Sequence, residues 1–581
     1  MASKLSIDIL SMIFEELEIE ISTLYSCIFV NREWCQLGIP FLWKNPWKIF
    51  NEINWMNHDK YEDVVIRYKI LFRNFFMLMT KEQKDFLKLN GIEFLFENFM
   101  YLKKNNEELP NVINSNVLDN GNTYKIGSYL TYFKSVNSFK DNTKIQTSQR
   151  NYSLFDRHLS SQNNSLLQKP LFNYSSFCKT IDSDKIHLMV YHNIKDNNNN
   201  LRHLTDYHEY LVEQEILKLL ISNTSKLKCF IICNKSHPIA LYPNSFISLS
   251  QLNELHCNTL IESTVFYGLS QLCRNLEKLI IEGYNDENDG LITFIKQQIN
   301  LRKVKIYEDD DEPYAQGKCR RIGYALGKFS SIRELDIGKT AITIPPILLE
   351  EFQNNLTVFK FGINYETTEV SLADELENVL KNISIPNLQQ LIIYNSCPPF
   401  DIIAKIVEKS KGDLRKISIG AYDSDENDGM LISSIAKNCP KLEYLMIWIG
   451  ENVKELIGLF KGCKNLRGLV LQSLWTIVLK RNAEDLLDII CNNASKHLRK
   501  FKMTGDWEIY KEALEGFLNN WKNQKRDSLD LYISKSFVSK YNNGYDNIIN
   551  KYKEMGVIRN YEYEEFIDFD ACIDENFLDS W

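Results

Sequence analysis

The chain has 581 residues, 12% aromatic and 25% charged, which excludes a disordered or collagen-like protein; its 13 scattered cysteines exclude a disulfide scaffold. The net charge of −8 sits at one end, where residues 561–581 hold eight acidic side chains and no Lys or Arg; the other 560 residues are electrically balanced. A balanced body offers no electrostatic footprint for nucleic acid, and no run of about 18 apolar residues marks a membrane span. An odd cysteine count, and no secretory-type apolar core after Met1, predict free thiols in the cytosol or nucleus.

Residues 1–48 read as three short helices. Leu5, Ile9, Leu10, Ile13, Phe14 and Leu17 recur at three- and four-residue spacing, the mark of one apolar helix face. Leu24, Tyr25, Cys27, Ile28 and Val30 follow, then Trp34, Pro40, Leu42 and Trp43. So small a module buries little core of its own, and the expectation is that it gains stability from a neighbour or partner.

Residues 49–104 continue in helical texture as a connector, for example Val64-Val65-Ile66-Arg67-Tyr68-Lys69-Ile70-Leu71-Phe72, with Gly91 as a break. Residues 105–226 are expected to be a polar insert and the entry to a repeat region that begins at residue 227. Twelve Asn and nine Ser fall within 105–165, a composition that cannot bury enough apolar surface to order itself.

From 227 to 533 one pattern returns: apolar, two variable, apolar, one variable, apolar. The instances are Leu227/Phe230/Ile232, Leu252/Leu255/Cys257, Leu276/Leu279/Ile281, Leu301/Val304/Ile306, Ile332/Leu335/Ile337, Leu356/Phe359/Phe361, Leu388/Leu391/Ile393, Leu414/Ile417/Ile419, Leu442/Leu445/Ile447, Leu466/Leu469/Leu471 and Leu498/Phe501/Met503, with a degenerate twelfth, Leu529/Leu531/Ile533. They start 24–32 residues apart, with helix-like stretches between them. A strand and a helix that cannot bury their apolar faces alone must stack on the next pair, so the predicted class is α/β: a solenoid with parallel strands inside and helices outside. Cys273, Cys439 and Cys463 each stand three residues before a unit's first apolar position, where a small group fits the helix-to-strand junction. The pentapeptide Asp-Glu-Asn-Asp-Gly occurs at 286–290 and 425–429, after a strand and before a helix, where Asn and Asp are natural N-caps. Residues 534–581 are assigned to a C-terminal cap and acidic tail.

The segment Leu5-Ser6-Ile7-Asp8-Ile9-Leu10-Ser11-Met12-Ile13-Phe14, with Leu24–Cys35 and Pro40-Phe41-Leu42-Trp43, resembles an F-box of the large fungal families that follow the box with a helical region and leucine-rich repeats. Ser6 stands where that family usually has Pro, which implies a weaker start to the first helix. The repeats resemble the cysteine-containing leucine-rich class, although Tyr284, Asp309, Thr340, Tyr422 and Gly450 stand where Asn or Cys is expected. The resemblance implies a non-catalytic substrate-recognition subunit of an SCF-type ubiquitin ligase, docked through the box on a Skp-type adaptor and cullin and binding a protein substrate through the repeats. The adaptor contact is then expected at Leu5, Ile9, Leu10, Ile13, Pro40 and Trp43, with Leu24, Cys27, Ile28 and Val30 inside the module. The alternative is a repeat scaffold or inhibitor whose box no longer docks; a third reading places a hydrolase within 105–226.

Variable strand positions supply the candidate substrate face. Ile392, Tyr394, Tyr444, Met446, Trp448 and Val470 are expected to form an exposed apolar patch, of the kind that anchors interfaces. Lys278, Lys303, Lys305 and Tyr307 form a basic cluster suited to an acidic segment, including the chain's own tail. No catalytic constellation or cofactor is expected. Gly323-Tyr324-Ala325-Leu326-Gly327-Lys328-Phe329 lacks the Ser or Thr of a phosphate loop, and the acidic pentapeptides lack the bidentate Glu of a calcium loop. Cys229 and Cys233 stand about 13 Å apart along a strand, too far for one ion, while His203 and His208 are five apart rather than four, and no G-x-S-x-G occurs.

Overall fold

A computed structural model of the chain describes residues 6–18, 20–50, 58–93, 172–194, 206–232, 236–282, 287–307, 320–338, 348–363, 370–394, 398–420, 428–449, 453–473, 481–505, 507–534 and 545–564. Leu5, the Asn/Ser-rich stretch 105–165 and most of the acidic tail lie outside them. The chain divides into two units, Met1–His256 with Thr264–Asn275, and Cys257–Ser263 with Leu276–Trp581.

The first unit opens with helices α1 (Ile7–Glu16), α2 (Ile21–Cys27) and α3 (Arg32–Lys44). Ser6 is the N-cap of α1, its Oγ accepting from the Ile9 amide at 3.4 Å, so the expected weakness at the missing proline is met by a side-chain cap. Asn31 caps α3 in the same way, accepting from the Trp34 amide at 2.9 Å. Leu10, Phe14 and Leu24 form the small core, with Trp34 edge-on to Phe14 at 5.5 Å. Two longer helices follow, α4 (His58–Leu78) and α5 (Lys81–Leu89), the second opened by a reciprocal Thr80/Gln83 capping box. Then come β1 (Thr180–Asp182), α6 (Ser183–Ile194), α7 (Asp206–Asn223), β2 (Cys229–Ile232) and β3 (Glu254–Cys257), the strands side by side in chain order, with β1 and β2 parallel. Helix α7 is buried on most of its circumference, and the buried residues include Glu209, Glu213 and Glu215 beside its apolar side chains. The Gln83 side chain donates to the Glu215 carboxylate at 3.0 Å and to its carbonyl at 2.9 Å, tying α5 to α7.

The second unit is a ladder of β4 (Lys278–Ile281), β5 (Lys303–Ile306), β6 (Glu334–Asp336), β7 (Val358–Phe361), β8 (Gln390–Ile393), β9 (Lys416–Ile419), β10 (Tyr444–Trp448), β11 (Gly468–Gln472), β12 (Arg481–Asn482), β13 (Lys500–Thr504), β14 (Trp507–Glu508), β15 (Leu529–Ser534) and β16 (Ile558–Glu564). All but β12 and β14, which pair with each other, lie in chain order in one sheet whose pairings are parallel. Helices such as Phe400–Glu408 and Asp428–Asn438 fall between successive strands, so the α/β class and the repeat of strand and helix hold. In both units every residue of the twelve apolar triads is buried, none more than 5% exposed. Strand formation extends one step past the pattern, to β16.

The junction cysteines do more than fit. Each thiol lies at a helix end, its amide bonded to the carbonyl four residues back. The Cys463 thiol reaches the Cys439 carbonyl at 3.3 Å, linking consecutive repeats, and burial pushes the Cys439 and Cys463 thiols up to about 12. The first acidic pentapeptide matches its expected capping role. Asn288 caps the helix Asp289–Lys296 through the Leu291 amide at 2.9 Å, and its amide donates to the carbonyls of Thr259 and Ile261 at 3.0 and 2.7 Å. A Cβ on Gly290 would stand 2.2 Å from the Ser263 carbonyl oxygen, so only glycine allows this approach. In the second copy, 425–427 lie outside the described residues. Gly323 belongs to the helix Arg320–Leu326 rather than to a phosphate loop.

Candidate functional site

The N-terminal module sorts its apolar residues into two sets. Helix α1 turns Leu10 and Phe14 inward, while Ile9 is 46% and Met12 66% exposed, with Ile13 half-buried beside them. Ile9 and Met12, three residues apart, lie on the side of α1 away from Leu10 and Phe14, and Ile13, three residues from Leu10, sits at the boundary between the two sides. Ile7 is exposed as well, and so are Phe29 and Val30 in the turn from α2 to α3. These large aliphatic and aromatic side chains are held in water on a small module.

Of the residues expected at an adaptor contact, two are interior. Leu10 is a core residue at 2% exposure, and so is Trp43, whose ring stacks on Tyr174 at 4.4 Å and meets Phe75 edge-on at 6.0 Å. Trp43 faces inward because the end of α3 is built into the unit: the Lys44 carbonyl accepts from the Lys179 amide at 2.8 Å, and the Trp47 indole donates to the Thr180 carbonyl at 2.9 Å. Pro40 is half-buried within α3, Ile9 and Ile13 remain accessible, and Leu5 lies outside the described residues. Leu24 and Ile28 are interior as expected, Cys27 is half-buried, and Val30 is exposed against expectation. Met12 is absent from the expected contact, although its position three residues from Ile9 places it on the same side of the helix.

The second candidate surface is the sheet face opposite the apolar triads. One register row runs Ile280, Lys305, Asp336, Lys360, Ile392, Ser418, Met446, Val470, Lys502 and Tyr532. The alternation predicted for Ile392, Met446 and Val470 is correct, but these side chains are buried, as is Trp448. Neighbouring parallel strands stand about 4.8 Å apart, so each side chain of a row is walled by the next two. Tyr394 and Tyr444 stay half-buried, and Lys416, Ser418, Tyr444, Met446, Gly468 and Val470 line a shallow depression. The apolar row is thus a packed floor rather than an exposed patch.

The basic cluster is corrected in the same way. Lys303 pairs with Glu334 at 2.8 Å, directly across the register, and Lys305 lies 3.8 Å from Asp336 and 4.4 Å from the centre of the half-buried Tyr307 ring. Lys278 is the register neighbour of Lys303. Lys303 and Lys305, expected to receive an acidic segment, are matched by acids on the next strand. Burial raises the Asp336 carboxyl above the usual range, against the pull of Lys305, Lys360, the Tyr394 hydroxyl and the Gly338 amide.

Two groups of metal-ligating side chains converge among the described residues, both in the first unit: Cys229 with Glu254 and His256, and His187 with Glu209 and Glu213. Cys233 lies outside the described residues, and the fold gives Cys229 and His237 separate neighbours. His256 Nε2 lies 2.7 Å from Glu254 Oε1 beside Cys229, and His237 turns to Glu213. No helix among the described residues is long and apolar enough to cross a membrane. No family model matches the chain, and no curated protein matches it in sequence.

Proposed function

We propose that this chain is the substrate-recruiting subunit of an SCF-type ubiquitin ligase, working in the cytosol or nucleus. The N-terminal module docks on a Skp-type adaptor, itself held by a cullin, through Ile9, Met12 and Ile13 of α1 and Phe29 and Val30 of the turn from α2 to α3. The sheet face of the second unit binds a protein substrate, with Tyr394, Tyr444 and Lys416 as its reachable side chains and Met446 and Val470 as the floor beneath them. The observation that carries the reading is the exposure of Ile9 and Met12 on a capped helix whose opposite side is fully packed. Such a helix presents apolar surface without needing it for its own fold, the arrangement helix-in-groove recognition uses. The chain performs no chemistry; it raises the effective concentration of substrate beside a ubiquitin-loaded enzyme.

The test is affinity purification of the tagged full chain from cells, comparing wild type with Ile9→Asp/Met12→Asp. The reading requires adaptor and cullin with the wild type and their loss with the variant at unchanged circular dichroism. Recovery of neither with the wild type makes this a repeat scaffold without a ligase.

A further inference from the structure

Helix α7 carries Glu209 and Glu213 one turn apart, both more than nine-tenths buried. Helix α6 brings His187 against them, with Nδ1 2.8 Å from Glu213 Oε1. The His187 nitrogen and one oxygen of each glutamate lie within 4.8 Å of one another. A transition-metal ion with bonds of about 2.0–2.2 Å to nitrogen and oxygen spans ligands about 3.3 Å apart. Opening the His187–Glu213 separation by about half an ångström is a rotamer adjustment, not a change of fold. The other Glu213 oxygen faces His237 Nε2 at 3.2 Å, and that ring is buried and stacked on Tyr210 at 4.3 Å. A carboxylate oxygen can only accept, so the contact makes His237 Nε2 the donor to Glu213, and Nδ1 has no hydrogen-bond partner among the described residues. A ligating carboxylate oriented by a donor on its second oxygen is the arrangement metal sites use to hold a ligand in place.

We infer that His187, Glu209 and Glu213 bind one divalent first-row transition ion, with His237 positioning Glu213. One imidazole and two carboxylates suit zinc, manganese or ferrous iron, and the imidazole disfavours calcium and magnesium. The His187 side chain is a quarter exposed, so the ion enters along it and water completes the coordination there. The site pins α6 and α7 to the segment before the turn Ile239–Leu241 in the first unit. It is independent of the ligase proposal.

The experiment uses the full chain, stripped with chelator and titrated with Co²⁺ and Zn²⁺. One equivalent of Co²⁺ should give visible ligand-field bands without a thiolate charge-transfer band, and Zn²⁺ should displace it. His187→Ala and Glu213→Gln should abolish binding, His237→Phe should weaken it about 10- to 100-fold, and Cys229→Ser should leave it unchanged. No bound cobalt in the wild type overturns the inference without recourse to any variant. A thiolate band that disappears in Cys229→Ser overturns it too, by moving the ion to Cys229, Glu254 and His256. Retention of binding in a folded His187→Ala chain does the same.

Discussion

The phenol of Tyr394 donates a 2.8 Å hydrogen bond to Oδ2 of Asp336, two strands away, across the row that also holds Lys305 and Lys360. A residue expected to await a substrate is already engaged with a buried acid of its own sheet. The same carboxylate accepts from the Gly338 amide at 3.1 Å, so Asp336 gathers groups from β5, β6 and the end of β8.

Tyr394→Phe removes one hydrogen bond to a charged acceptor and should cost about 1.5–3 kcal/mol of stability. Asp336→Asn should cost at least as much, because it takes the negative charge from beside Lys305. The double variant should cost less than the sum, since both changes break the same bond. Urea unfolding of the four proteins measures this; strict additivity would show that the bond contributes nothing.

The two Asp-Glu-Asn-Asp-Gly copies should respond oppositely to one methyl group. Gly290→Ala drives a Cβ into the Ser263 carbonyl and should destabilise by about 1–3 kcal/mol, the usual cost of overpacking. At Gly429 the nearest atom to a built Cβ is Glu455 Cγ at 3.5 Å, an ordinary contact. Gly429→Ala should therefore be neutral, or stabilising by up to about 1 kcal/mol through helix propensity. Equal losses at both positions in thermal melts would contradict the packing described.

The buried thiols predict an alkaline limit. An unfolded cysteine ionises near pH ~8.5, whereas folded Cys463 is pushed up to about 12. A group whose folded value is raised contributes fully below the unfolded value and loses that contribution as pH rises toward the folded one. The stability gap between wild type and Cys463→Ala, measured in urea under reducing conditions, should be constant below pH ~8.5. Above that it should shift against the wild type by about 1.4 kcal/mol per pH unit. A gap independent of pH between about 8.5 and 11 would show that the thiol reaches solvent.

The repeat was legible because its signal is redundant: twelve triads, each placing two residues on one side of a strand. The strand β16 escaped because its run, Ile558-Arg559-Asn560-Tyr561-Glu562, is polar and a register shift at Leu529/Asp530 breaks the pattern there. Strand β1 is three residues long, too short for a periodicity. The open-face alternation is correct at Met446 and Ile392, yet exposure is not, since it depends on what neighbouring strands carry. That information was available in part. Lys303 and Glu334 occupy the same position in successive repeats, and chain order makes those repeats neighbours. Leu10 and Ile9 group as one apolar face because both satisfy helical spacing; only the packing of α3 separates them. Nothing in the spacing of 187, 209, 213 and 237 announces that these residues meet.

The most direct test of the account is the binding of purified Skp-type adaptor to the purified full chain, followed by calorimetry for wild type, Ile9→Asp/Met12→Asp and Tyr394→Phe. The account predicts a one-to-one complex for wild type and Tyr394→Phe, and loss of at least about 2 kcal/mol of binding, some thirtyfold, when the exposed side of α1 is charged, the scale of an interface hot spot. Binding that is unchanged by the two aspartates, or no binding by the wild type, would contradict it.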